Sequence, residues 1–135
     1  MSVVATKDRL RDFFERRRDG IVCVYLFGSV GRGEERPDSD IDVAILYRRE
    51  PAPTLGGAGI RLSGELERHL GTAVDVVVLN RASPDLVHRV LRDGVVVFDA
   101  DPSARIRFEV KARNAYFDLK PILDHYRRHG GSAHG

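Results

Sequence analysis

The 135-residue chain has no tryptophan, one methionine and one cysteine. A lone cysteine closes no internal disulfide, so the small disulfide-stapled class is excluded. Cys23 stands in an apolar run and reads as a buried core thiol. No apolar stretch approaches the roughly 20 residues a membrane-crossing helix needs. Met1 to Lys7 lack the apolar centre of a secretory signal, so a cytoplasmic location is expected. Charge of one sign is scarce as well: 22 Lys and Arg stand against 20 Asp and Glu, a net +2. That excess is too small for the broad basic face of a duplex-binding protein, and no strong direct nucleic-acid binding is expected.

With 42% apolar and 31% charged residues, the chain has the composition of a globular domain. Its length suits one domain, expected over residues 1–129 with a disordered tail at 130–135. Helix and strand patterns alternate along it. Ser2 or Thr6 opens a first helix bearing Leu10, Phe13 and Phe14, with Arg16 to Arg18 in its last turn. Ile21 to Phe27 is continuously apolar and predicts a strand buried on both faces. Ile41 to Tyr47 predicts a second strand, and the Pro- and Gly-rich residues 49–59 a loop. Leu62, Leu66 and Leu70 mark a helix over 60–70, stopped by Gly71. Ala73 to Leu79 predicts a third strand, interrupted by Asp75 and expected at the sheet centre. Ser83, Pro84 and Asp85 form a helix start, with Gly94 as its stop. His88 within that helix is expected at or near the surface, not as a ligand. Val95 to Phe98 predicts a fourth strand, and a long helix follows from Pro102 toward Arg128, kinked at Pro121. The fold class is α/β, one domain with a sheet of about four strands flanked by helices.

Three features carry chemistry. Asp40 and Asp42 are two apart at the start of a strand and so project to one face. Like charges that close repel unless a cation lies between them. Oxygen-only ligands suit Mg²⁺ or Mn²⁺, not Zn²⁺. Asp75 sits among valines, where an uncompensated carboxylate is costly. With its strand beside the second, it completes a three-carboxylate cluster for two metal ions, one carrying a triphosphate and one positioning an attacking hydroxyl. Gly28-Ser29 ends the first strand: glycine admits a sharp turn, Ser29 caps a following helix whose free N–H groups favour phosphate, and Arg32 lies one turn further on. Taken singly, each feature has a plain reading as a turn, a solvated pair or a salt-bridged acid. Gly-Ser, ten residues, then Asp-x-Asp arises by chance in roughly a few chains per thousand of this length. The Gly28 to Gly33 segment has neither the ending of a P-loop nor the glycine order of a dinucleotide fingerprint.

Leu26-Phe27-Gly28-Ser29-Val30-Gly31-Arg32-Gly33, followed by Asp38-Ser39-Asp40-Ile41-Asp42, resembles the minimal nucleotidyltransferases of the DNA polymerase β superfamily. More narrowly it is similar to the MntA-type antitoxins encoded with HEPN-domain toxins. Val74 to Val77, Leu91 to Gly94 and Asp118 to Pro121 resemble that family's later segments. The resemblance implies a nucleotidyltransferase fold with a mixed sheet, Mg²⁺ and ATP, and transfer of AMP to a tyrosine of a HEPN ribonuclease toxin. It implies Asp40, Asp42 and Asp75 as metal-binding catalytic residues and Gly28 and Ser29 as the nucleotide-binding turn.

A catalytic sheet and its helices use nearly all the residues, leaving no separate domain to hold a small acceptor. A protein acceptor is therefore expected to bring its own binding surface. Ile106, Val110, Arg113 and Phe117 form one stripe of the last helix, with Tyr116, Leu119, Leu123 and Tyr126 beside it. One stripe must pack on the sheet, and a second favours a partner or a homodimer. Two other functions remain open at this point: an antitoxin that neutralises by binding alone, and a transferase for a small-molecule acceptor.

Overall fold

A computed structural model describes residues 3–17, 20–28, 41–52 and 57–129. The elements are α1 (Val3–Glu15), β1 (Ile21–Phe27), β2 (Ile41–Tyr47), α2 (Ala58–Leu70), β3 (Val74–Val78), a 3₁₀ turn (Leu79–Arg81), α3 (Pro84–Asp93), β4 (Val95–Asp99) and α4 (Pro102–His129). The sheet order is β3-β2-β1-β4. β1 pairs antiparallel with both β2 and β4, whereas β2 and β3 are parallel, so the sheet is mixed, as the family resemblance implies.

Each face of the sheet carries a helical layer. Leu10 and Phe14 of α1 and Leu62, Leu66 and Leu70 of α2 pack on Val24, Leu26, Ile41, Val43 and Ile45. On the other face, Val87 and Val90 of α3 meet Cys23, Tyr25, Phe27, Ala44 and Leu46, with Ala104, Phe108 and Ala112 of α4 beside them. Covered on both sides, β1 is buried at every residue, which explains its unbroken apolar sequence.

The helix signals are realised in detail. Ser83 Oγ accepts from the Leu86 N–H at 3.3 Å, ahead of Pro84 in the first turn of α3. His88 is half-buried and stacks on Tyr116, ring centres 3.7 Å apart and planes at 2°. At the start of α4, Asp101 Oδ1 accepts from the Ala104 N–H at 3.1 Å, and Asp101 Oδ2 accepts from Arg48 at 3.0 Å.

Several expectations need correction. Among the described residues the third strand is an edge strand, not a central one, and Asp75 is exposed. Its residues are Val74–Val78, because Leu79 opens the 3₁₀ turn, where the Asn80 side chain pairs with both backbone groups of Tyr47. Thr6 lies inside α1 and is buried, and Arg16 and Arg17 follow its end at Glu15. Ala58 and Gly59 belong to α2, not to the preceding loop. The sheet-facing stripe of α4 is Ala104, Phe108 and Ala112, while Ile106, Val110 and Phe117 remain 50%, 50% and 65% exposed. The tail at 130–135 lies outside the described residues.

Candidate active site

The C-terminal end of β1 and the N-terminal ends of β2 and β3 lie side by side. Phe27 is the register partner of Asp42, and Asp42 is the register partner of Asp75. Register partners point to the same side of a sheet, so the two carboxylates share a face on strands about 4.8 Å apart. It is the face covered further along by α3 and α4, since Ala44 and Val77 continue the same two rows. Asp42 is half-buried at the inner position and Asp75 is exposed at the rim.

Gly28 closes the arrangement from the β1 side. Its φ is +76°, the left-handed region. A Cβ placed there would overlap Asp42 Oδ2 and stand 3.0 Å from Asp42 Cγ. Only a residue without a side chain lets the backbone turn so close to that carboxylate. Across the sheet the order is therefore Gly28, Asp42, Asp75, from the turn on β1 to the open rim on β3.

Three of the six sequence-predicted site residues, Gly28, Asp42 and Asp75, are thus brought together. The other three, Ser29, Arg32 and Asp40, lie outside the described residues. No described arginine pairs with Asp75, the arrangement that would have turned it into a structural ion pair. Among the described residues no group of three His, Cys, Asp or Glu side chains is placed to hold a metal ion. The donor chemistry suits a hard divalent cation: two carboxylates side by side, oxygen only, with one of them open to solvent.

Beneath the site the structure reveals a polar network that the apolar reading of β1 missed. Tyr25 is buried, and its hydroxyl donates to Glu109 Oε2 at 2.6 Å. Arg105 donates to Glu109 at 3.1 Å and to Asp99 at 2.7 Å, while Asp99 Oδ1 is buried with no hydrogen-bond partner. Burial first, and then the hydrogen bond to Glu109, push the Tyr25 hydroxyl well above the ordinary phenol range. Burial likewise pushes the Cys23 thiol up to about 12, so neither group gives up a proton at neutral pH. The only sequence signal was the Arg105/Glu109 pair, four residues apart on a helix.

Comparisons with known proteins identify the family of the chain. Residues 8–103 match the family described as Polymerase beta, Nucleotidyltransferase. The protein adenylyltransferase MntA of Thermococcus cleftensis is 34% identical over 95 residues, 70% of this chain and 88% of that protein. A crystal structure of a toxin–antitoxin complex with AMP-PNP has a chain that matches with a TM-score of 0.71 at 24% identity, covering 88% of this chain and 96% of that one. A structure of the tri-AMPylated Shewanella oneidensis HEPN toxin with its MNT antitoxin matches with a TM-score of 0.67 at 22% identity, over 91% and 97% of the two chains. At those identities the structures speak for the fold, while the family match and the MntA relative speak for descent. The chain belongs to the polymerase β nucleotidyltransferase family, among its MntA-type protein adenylyltransferases, and is a nucleotidyltransferase.

Proposed function

We propose that this protein is an antitoxin that transfers AMP from ATP to a tyrosine hydroxyl of a partner HEPN ribonuclease toxin. The observation that carries this reading is the register of Asp42 with Asp75, on one face and beside the close turn at Gly28. The named activity of the MntA relative and the AMPylated toxin in the Shewanella complex point to the same chemistry. Asp42 and Asp75, joined by Asp40, would hold Mg²⁺, which when bound neutralises the acids and the triphosphate charge. Gly28, Ser29 and Arg32 would receive the phosphates from the β1 side. The tyrosine oxygen attacks the α-phosphorus and forms a new P–O bond. The bond from that phosphorus to the bridging oxygen breaks, and pyrophosphate leaves with the electron pair. The phenolic proton would pass to Asp75, the exposed carboxylate at the rim, and on to water.

A binding contribution has its own support. Ile106, Val110 and Phe117 form an exposed second stripe on α4 in addition to the packed one, a surface suited to a polypeptide partner. The deciding experiment compares wild type, Asp42→Asn and Asp75→Asn in transfer of label from α-labelled ATP to the co-purified partner. The expected result is a loss of about a hundredfold or more in both variants, with the fold intact by circular dichroism. Undiminished labelling in both removes the enzymatic reading. Full protection of cells by the double variant shifts neutralisation to binding alone.

A further inference from the structure

The open edge of β3 adjoins a cavity of about 360 Å³. Its walls come from Gly57, Gly59 and Ile60 of the α2 start, from Val76 to Val78, and from Arg81, Ala82 and Leu86. It begins beside the candidate site: Val77 lies on the same strand face as Asp75, two residues or roughly 6.6 Å along the strand. No described strand pairs with this edge.

The backbone of the edge is divided in two. The Ile41 N–H donates to the Ala73 carbonyl, so the peptide groups of Ala73, Asp75 and Val77 face β2. By alternation those of Val74, Val76 and Val78 face outward. At Val74 the outward groups are closed off by α2, since the Val74 N–H donates to Glu67 at 3.2 Å and its carbonyl accepts from Ser63. Val76 and Val78 are among the residues that line the cavity.

We propose that the tyrosine-bearing segment of the acceptor polypeptide docks in extended form along Val76 to Val78, paired with the outward peptide groups, so that its tyrosine lies in the cavity with the hydroxyl at Asp75. This rests on the reading of the site as an AMP transferase to tyrosine. The order across the sheet supports it: the phosphate turn at Gly28 is on the β1 side of Asp42, whereas Asp75 and the cavity are on the β3 side. Triphosphate and acceptor would then approach the acids from opposite sides, as in-line displacement requires. An added strand also places its side chains opposite those of β3, so a residue facing Asp75 or Val77 points to the catalytic face. The wall of Val77, Leu86 and Ile60 is apolar, suited to a phenol ring with its one polar atom at the carboxylate end.

Two variants test this. Val76→Pro deletes an outward N–H while leaving the β2 ladder intact, and an outward N–H on an edge strand is one of the places proline is tolerated in a sheet. Ile60→Asp puts a charge at the mouth of the cavity at a position 70% exposed, where folding is not at stake. Label transfer to the acceptor protein is measured with its KM and kcat, alongside the melting shift produced by Mg²⁺ and ATP. The expected result for both variants is at least a tenfold rise in acceptor KM with kcat and the nucleotide-induced melting shift retained. An unchanged acceptor KM in Ile60→Asp overturns the proposal, whether or not Val76→Pro folds. A concentration-dependent dimer of the wild type that Val76→Pro abolishes also overturns it, by giving the edge to a second copy. Failure of the wild type to label any acceptor sinks the transferase reading itself, a distinct outcome.

Discussion

Replacing Gly28 by alanine separates two physical effects that usually travel together. The residue is held at φ +76°, so any side chain meets left-handed strain, worth about 1–2 kcal/mol. Alanine adds a second effect, because its Cβ would fall on Asp42 Oδ2 and stand 3.3 Å from Asp42 Cβ. Nothing in that overlap is backbone, so the cheapest relief is for the Asp42 carboxylate to swing away from its place beside Asp75. Gly20 and Gly71 are natural controls: their φ values are +70° and +74°, with no atom within 4 Å of a built Cβ. All three alanine variants should therefore lose about 1–2 kcal/mol, seen as a fall in melting temperature of about 4 °C per kcal/mol for a domain of this size. Only Gly28→Ala should lose AMP transfer per folded molecule, by about a hundredfold, the cost typical of a catalytic group displaced by about 1 Å. Transfer is measured well below all three melting points, so that each variant is folded. Near wild-type transfer in Gly28→Ala would mean that the Asp42 position seen here is not the reactive one.

Two further predictions concern the framework. The Asp101 carboxyl is held below its ordinary value by the Ala104 N–H and then by Arg48. A depressed pKa stabilises the fold above the usual carboxylate range and loses that stabilisation as pH falls through the depressed value. Melting temperature should therefore drop as pH falls below about 3.8, and Asp101→Asn should flatten that drop in a pH series. Tyr25→Phe removes the hydrogen bond to Glu109, worth about 1.5–3 kcal/mol for a charged acceptor. Urea unfolding should show a loss near the lower figure, because Arg105 still holds Glu109, and AMP transfer should be unaffected.

Much of this arrangement could be read from the residues. The spacing of Gly28 and Asp42, the alternation in β2 and the capping residues around α3 each report a local rule that the structure obeys. The placement of β3 shows where such reading stops. Val74, Val76, Val77 and Val78 suggest a central strand, yet an apolar run reports how many faces are covered, not how many strands lie alongside. α2 covers one face of β3, and Leu86 and Ala82 flank the other, so an edge strand carries the sequence of an inner one. Tyr25 was hidden for a related reason: in an apolar run its ring satisfies the pattern, and its hydroxyl finds a partner only through Glu109, 84 residues away. On α4 the eye goes to the large side chains, but it is the small Ala104 and Ala112, with Phe108, that let the helix lie against the sheet.

The edge position also changes the electrostatic argument for the site. An ionised Asp75 in a central strand would need a cation merely to be tolerated, and the folded chain would depend on its metal. At the rim Asp75 keeps its water, so its repulsion from Asp42 is screened and the sheet can form before any ligand arrives. The carboxylate whose neighbour is solvent on one side is also the one an incoming hydroxyl can reach. A strand added centrally would bury that approach, whereas an edge leaves room for a whole polypeptide to lie against it. On the proposed reading, an acid on the outermost described strand would let the acceptor supply, from its own chain, the wall that the sheet lacks.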